Sequence, residues 1–126
     1  MFRSPQIVLF SQDVERLAGF YVSLGFVEAF RVHVEGAPIH VDVVLDGYKL
    51  GIASVDSTRE DHGLNPVPHG QRAAVVLWTD DTDRDYTMLI ASGCPGLAPP
   101  HPWLDRLRIA WVTDPDGHPI QLVQSL

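Results

Sequence analysis

Two short apolar runs, residues 7–10 (Ile-Val-Leu-Phe) and 75–78 (Val-Val-Leu-Trp), open two similar successions of signals along the chain. Both runs are rich in strand-forming residues and have the length of a buried strand. A hydroxyl residue follows each one, Ser11 or Thr79, and acidic residues come next, as at a helix N-terminus. Val14, Leu17, Ala18, Tyr21 and Leu24 then recur at helical spacing until Gly25 stops the helix. In the second succession Tyr86, Leu89 and Ile90 take the packing role before Gly93. Strand-like stretches follow at residues 27–34, 39–45 and 48–54, and again, the first of them weakly, at 96–97, 107–113 and 119–124. Asp46-Gly47 predicts a two-residue hairpin, and Asp114-Pro-Asp-Gly117 a turn with proline in second place.

The two successions align as a repeat. An offset that lays Ala74 on Gln6 also pairs Val76 with Val8, Leu77 with Leu9 and Trp78 with Phe10. The same offset pairs Thr79 with Ser11, Asp81 with Asp13, Arg84 with Arg16 and Gly93 with Gly25. Two further positions of offset lay Asp116-Gly117 on Asp46-Gly47, Ile120 on Leu50 and Leu122 on Ile52, as a loop insertion would. Matches kept in this order indicate a duplicated unit. The predicted fold is therefore α+β, with two βαβββ modules in one domain spanning residues 1–126. Module one covers about 1–54 and module two about 72–126, joined by a polar connector at 55–71 that carries Gly63, Pro66, Pro68 and Gly70.

Composition narrows the function. The net charge is −7, and the nine basic residues are scattered, which excludes the clustered Lys and Arg that nucleic-acid binding requires. No apolar run approaches the ~18 residues that span a bilayer, and residues 1–6 lack the apolar stretch of a signal peptide, so the expected location is the cytoplasm. Cys94 is the single cysteine, which suits a reducing compartment and reads as incidental in its Gly/Pro-rich loop.

Histidine positions offer no established metal-ligand spacing. His33, His62, His69 and His101 read as solvated loop residues, and His118 after the Asp-Pro-Asp-Gly turn as a surface one. Asp61-His62 with His69 could at most clamp an adventitious cation. Strand alternation puts Ile39, Val41 and Val43 on the core face, so His40 and Asp42 are expected to face solvent.

The βαβββ order, together with Ser-Gln-Asp-Val-Glu-Arg at 11–16, Phe-Tyr at 20–21, Leu-Gly-Phe at 24–26 and Asp-Pro-Asp-Gly-His-Pro-Ile-Gln-Leu at 114–122, resembles the vicinal-oxygen-chelate superfamily of glyoxalases, bleomycin-resistance proteins and extradiol dioxygenases. The resemblance covers nearly the whole chain and implies a curved mixed sheet around a U-shaped cavity, commonly in a homodimer. Metal-dependent members carry ligands at four equivalent strand positions, which here map to Gln6, Gly51, Ala74 and Gln121. None is a histidine or a carboxylate, and a catalytic metal needs several strong donors, so no metal and no other cofactor is expected.

The resemblance also indicates what lines the cavity. If Gln6 faces it, alternation sends Phe10 the same way, and Ala74 likewise brings Trp78. The fosfomycin-resistance branch places cavity residues three, five and eleven positions before the turn aspartate, here Trp111, Ile109 and Trp103. A pocket of Phe10, Trp78, Trp103, Ile109 and Trp111, with Gln6 and Gln121 as neutral hydrogen-bonders, suits a flat aromatic or cationic ligand. The leading expectation is a metal-free small-molecule-binding protein resembling antibiotic-sequestering members. The alternatives are a lyase, isomerase or dioxygenase with a non-standard site, using His101, Asp105, Tyr48 or His40, and a regulatory module that docks a partner through residues 93–103.

Overall fold

The computed structural model describes residues 1, 3–67, 70–71 and 73–126; Pro68 and His69 of the predicted connector, and Arg72 at the start of module two, lie outside the described residues. The chain divides into two compact units, Met1–Pro68 and His69–Leu126. Each carries one four-stranded sheet, and the two have the same topology.

Unit one consists of β1 (Ile7–Ser11), α1 (Val14–Ser23), β2 (Val27–Val32), β3 (His40–Leu45), β4 (Tyr48–Ser54) and α2 (Val55–His62), with sheet order β1-β4-β3-β2. The β1–β4 pair is parallel and the others antiparallel. The hairpin between β3 and β4 is the predicted Asp46-Gly47 turn, with φ of 50° and 81°, the left-handed pair that a two-residue hairpin needs. Leu17, Ala18 and Tyr21 of α1 are buried, α1 packs on β3 and β4, and Leu9, Val41, Val43 and Ile52 of the sheet are buried too, so this face of the sheet is the core of the unit. Arg31 of β2 ties α1 down by a bidentate bond to Glu15 at 2.6 and 2.8 Å.

Unit two repeats the plan with β5 (Val75–Trp78), α3 (Thr82–Ala91), β6 (Gly96–Trp103), β7 (Leu107–Thr113) and β8 (Pro119–Ser125), in order β5-β8-β7-β6. Ala110, Val112, Ile120, Leu122 and Leu89 are buried in the layer that α3 covers. The strand-to-helix clamp recurs: Arg108 of β7 bonds Asp83 of α3 at 2.6 and 2.9 Å. Thr82, fully buried, locks the helix start by donating its hydroxyl to the Arg108 carbonyl and its N–H to Gln124 Oε1.

Several elements differ from the expectation. The helix caps are Asp13 and Asp81, whose carboxylates accept from the Arg16 and Arg84 N–H groups. Ser11 and Thr79 instead accept from the N–H of the capping aspartates themselves. The carboxylate stands three residues before the N–H it receives, the reach a cap requires. The polar connector begins with a helix, α2, capped by Ser54 and ended by Gly63 at φ 69°. The weak strand expected at 96–97 runs on to Trp103 despite three prolines, because β6 is an edge strand and its prolines need give no ladder hydrogen bond on the open side.

Candidate functional site

In both units the helix covers one face of the sheet and leaves the other to carry chemistry. The register of unit two sets out this second face. Val76, Gln121, Trp111 and Ala98 form one row across β5, β8, β7 and β6, and Trp78, Val123, Ile109 and His101 form the next. Trp78 is 66% exposed, Trp111 half-buried and Ile109 buried. Trp103 pairs with Leu107, two rows beyond Trp111, so it shares the face at its far end, about 13 Å away at the rise of a strand. Five of the seven predicted ligand-binding residues, Trp78, Trp103, Ile109, Trp111 and Gln121, thus lie on one face of one unit.

Beside Trp111 this face opens into a cleft of about 630 Å³, lined by Gln71, Ala73, Ala74, Leu97, Ala98, Trp111 and Pro119. That volume lies within the range of small-molecule sites, about 300–1,000 Å³. Ala74, one of the four family metal positions, is part of this wall and keeps it apolar. Trp78, Trp103, Ile109 and Gln121 stand outside the cleft lining, and Leu97, Ala98 and Pro119 are lining residues that the sequence pattern did not single out.

The remaining two predicted residues, Gln6 and Phe10, belong to unit one. There Val8, Gly51, Asp42 and Phe30 form one row, and Phe10, Ala53, His40 and Val32 the next, on the face turned away from α1. Asp42 does not face solvent as expected; it is 8% exposed. Its Oδ1 accepts from Gln6 Nε2 and from His40 Nε2, both at 2.7 Å. The arrangement depends on Gly51. A Cβ there would lie 2.6 Å from Gln6 Nε2, 3.1 Å from Val8 Cγ2 and 3.2 Å from Asp42 Oδ1. Alternation had assigned Asp42 to the right face, but the missing side chain at 51 and the amide from Gln6 bury it.

This geometry does not fit the family's metal. The place a ligand side chain would take at position 51 is filled by Gln6 and Asp42, and Ala74 has no donor. Among the described residues no three His, Cys, Asp or Glu side chains converge on one point. His62 ends α2, while His69, the partner proposed for it in clamping a cation, lies outside the described residues. Elemental analysis of purified protein should find metal well below one ion per chain. About one Zn, Fe, Mn or Ni per chain, lost when Gln6 and Gln121 are replaced together, would contradict this.

His118, Cys94 and His101 each have a hydrogen-bond partner within unit two. His118 is half-buried and tied down, not simply solvated: its Nδ1 bonds Asp114 Oδ2 at 2.7 Å and its own N–H reaches Asp114 Oδ1. That bond holds the imidazole pKa above its ordinary value, against partial burial. Cys94 is buried and donates to the Thr113 carbonyl at 2.9 Å; burial, and then the Asp114 charge, push its thiol up, away from nucleophilic use. His101 Nδ1 contacts its neighbour Pro99 O at 2.7 Å. No helix among the described residues is long and apolar enough to cross a membrane.

Comparison with known structures agrees with this architecture. A hypothetical protein, SA1046, from S. aureus superposes with a TM-score of 0.81 at 18% identity, covering 98% of this chain and 95% of that one. A glyoxalase/bleomycin resistance protein/dioxygenase superfamily member from Sphaerobacter thermophilus gives 0.78 at 25% identity, covering 99% and 98%. TioX from Micromonospora sp. ML1 gives 0.75 at 23% identity, covering 99% and 100%. No curated protein matches the sequence. Residues 3–122 match the family model, and with the duplicated βαβββ units they establish that the chain belongs to the glyoxalase/bleomycin resistance protein/dioxygenase superfamily.

Proposed function

We propose that this chain is a metal-free small-molecule-binding protein of the glyoxalase/bleomycin-resistance type, which sequesters a flat aromatic or cationic compound. The observation that carries the reading is Trp111, half-buried at the wall of an open, mainly apolar cleft and in register with the exposed surface of Trp78 one row away. An aromatic ring offers a flat ligand a large contact at little entropic cost and attracts a cation through its quadrupole. The net charge of −7 favours a cation further. A stacked contact on Trp111 contributes about 0.5–1.5 kcal/mol beyond area burial, and the rest of a micromolar affinity, about 8 kcal/mol in all, comes from burying the ligand against the apolar lining. Quenching of intrinsic tryptophan fluorescence by planar dyes and antibiotics, in the wild type and in Trp111→Ala, is the test.

The protein is further proposed to be a homodimer. Val8 and Phe30 in unit one, and Val76, Leu97 and Trp103 in unit two, leave apolar side chains exposed on the sheets. Such surface on a small domain is commonly covered by a second copy. Sedimentation at micromolar concentration should give twice the chain mass of 14.0 kDa. A clean monomer would contradict the dimer and leave the ligand reading intact.

A further inference from the structure

The aromatic cleft of unit two makes no use of the polar cluster in unit one, where Gln6, His40 and Asp42 meet over Gly51. The hydrogen bonds fix which ring nitrogen faces Asp42 and so select one tautomer of the neutral imidazole. Asp42 Oδ1 receives the Gln6 amide, and a carboxylate oxygen is an acceptor only, so His40 Nε2 must carry the proton it shares with that oxygen. When the ring is neutral it is therefore the Nε2–H tautomer, and its Nδ1 keeps a lone pair. Nδ1 has no hydrogen bond, and among the described residues no buried side-chain nitrogen or oxygen lacks a partner, so Nδ1 is open to solvent. Around this acceptor the face is apolar and partly aromatic: Phe30 is exposed and stands edge-on to the His40 ring at 6.2 Å, and Val8 and Phe10 border it on β1.

We propose that His40 is a proton-accepting site for a ligand carrying a weakly acidic O–H, such as a phenol or an enol. Asp42 is the positioning residue, and Gln6 holds Asp42 in place. In the step, the ligand O–H bond breaks and its electron pair stays on oxygen, while a bond forms from that proton to His40 Nδ1. The products are a bound oxyanion and an imidazolium paired with Asp42, with no co-reactant needed. Within unit one the ionisable groups on this face are His40 and Asp42 on β3 and Lys49 on β4; Gln6 just before β1, Val8 and Phe10 on β1, and Phe30 and Val32 on β2, add none. The proposal is independent of the cleft in unit two.

The probe is 4-nitrophenol, whose phenolate has its own visible absorption band, used at a pH close to the free probe's pKa, where a free imidazole is mostly neutral and able to accept a proton. Wild-type protein should raise the phenolate band on titration, and the methyl ether of the probe should not develop one. His40→Gln should lower the band at least tenfold, Asp42→Asn should weaken it, and Met88→Ala, at an exposed position of α3, should leave it unchanged. Should His40→Gln fail to fold, nitrogen NMR of the wild-type His40 ring decides: a neutral Nε2–H tautomer alone and an imidazolium with the probe bound. The proposal is overturned if no band develops in the wild type, or if the ring stays neutral with probe bound. It is equally overturned if the band persists in His40→Gln, or is lost in Trp111→Ala while His40→Gln keeps it, which would seat the phenolate at the tryptophan face.

Discussion

Asp114→Ala is expected to destabilise the protein by about 3 kcal/mol, the largest effect of any single replacement considered. Asp114 is 1% exposed and stands at the head of the turn that joins β7 to β8. Its Oδ1 accepts the N–H groups of Asp116 and His118 at 2.9 Å each, and its Oδ2 binds His118 Nδ1. Its backbone closes the same turn, giving its N–H to His118 O and accepting from Gly117 N. Alanine would leave two turn N–H groups without their acceptor and a half-buried imidazole without its carboxylate. Hydrogen bonds to a charged group contribute about 1.5–3 kcal/mol each, and domains of this size have only about 5–15 kcal/mol in total. Asp114→Asn keeps one acceptor oxygen and should cost less than half as much. Chemical denaturation that finds alanine within about 1 kcal/mol of wild type would refute this account of the turn.

The same pair gives stability a pH dependence of known sign. The bond to Asp114 raises the His118 pKa in the folded state above the ordinary 6.5. The charged pair therefore contributes fully below that ordinary value, and its contribution is lost as pH rises through the folded-state pKa. The stability difference between wild type and His118→Gln should shrink as pH is raised from about 6 towards 9.

The turn and the repeat were legible in the sequence because they are local. Asp46-Gly47 and Asp114-Pro-Asp-Gly117 state their backbone needs outright, and the spacing of Leu17, Ala18 and Tyr21 marks the face α1 buries. The tryptophan face was legible for a related reason: strand alternation plus one register fixes which of Trp78, Ile109, Trp111 and Gln121 point together. What escaped the sequence depends on neighbours distant along the chain. Asp42 reads as a polar strand residue until Gln6, from β1's approach, and the absent side chain of Gly51 close over it. Strand β6 reads as a proline-rich loop until its place at the sheet edge makes proline acceptable. Helix α2 has no apolar stripe beyond Val55 and Thr58, so periodicity gives it no signal.

Trp111→Ala carries the second large effect, on binding and not on folding. Trp111 lies on the face away from α3, while Ala110 and Val112 on either side of it are fully buried in the layer that α3 covers. Losing the indole therefore removes cleft wall and leaves that helix-covered core in place. Its removal should weaken a flat aromatic ligand by about tenfold or more, equivalent to about 1.4 kcal/mol, the size of one good stacking contact with its buried area. Trp78→Ala, one row away and outside the cleft lining, should weaken the same ligand less. The decisive measurement is a titration of intrinsic tryptophan fluorescence with planar aromatic and cationic compounds, run on wild type and Trp111→Ala at matched circular dichroism. The account predicts saturable quenching at roughly micromolar concentration in the wild type and at least tenfold weaker binding in a folded Trp111→Ala. An absence of quenching by every compound, or a Trp111→Ala chain that unfolds, would contradict it.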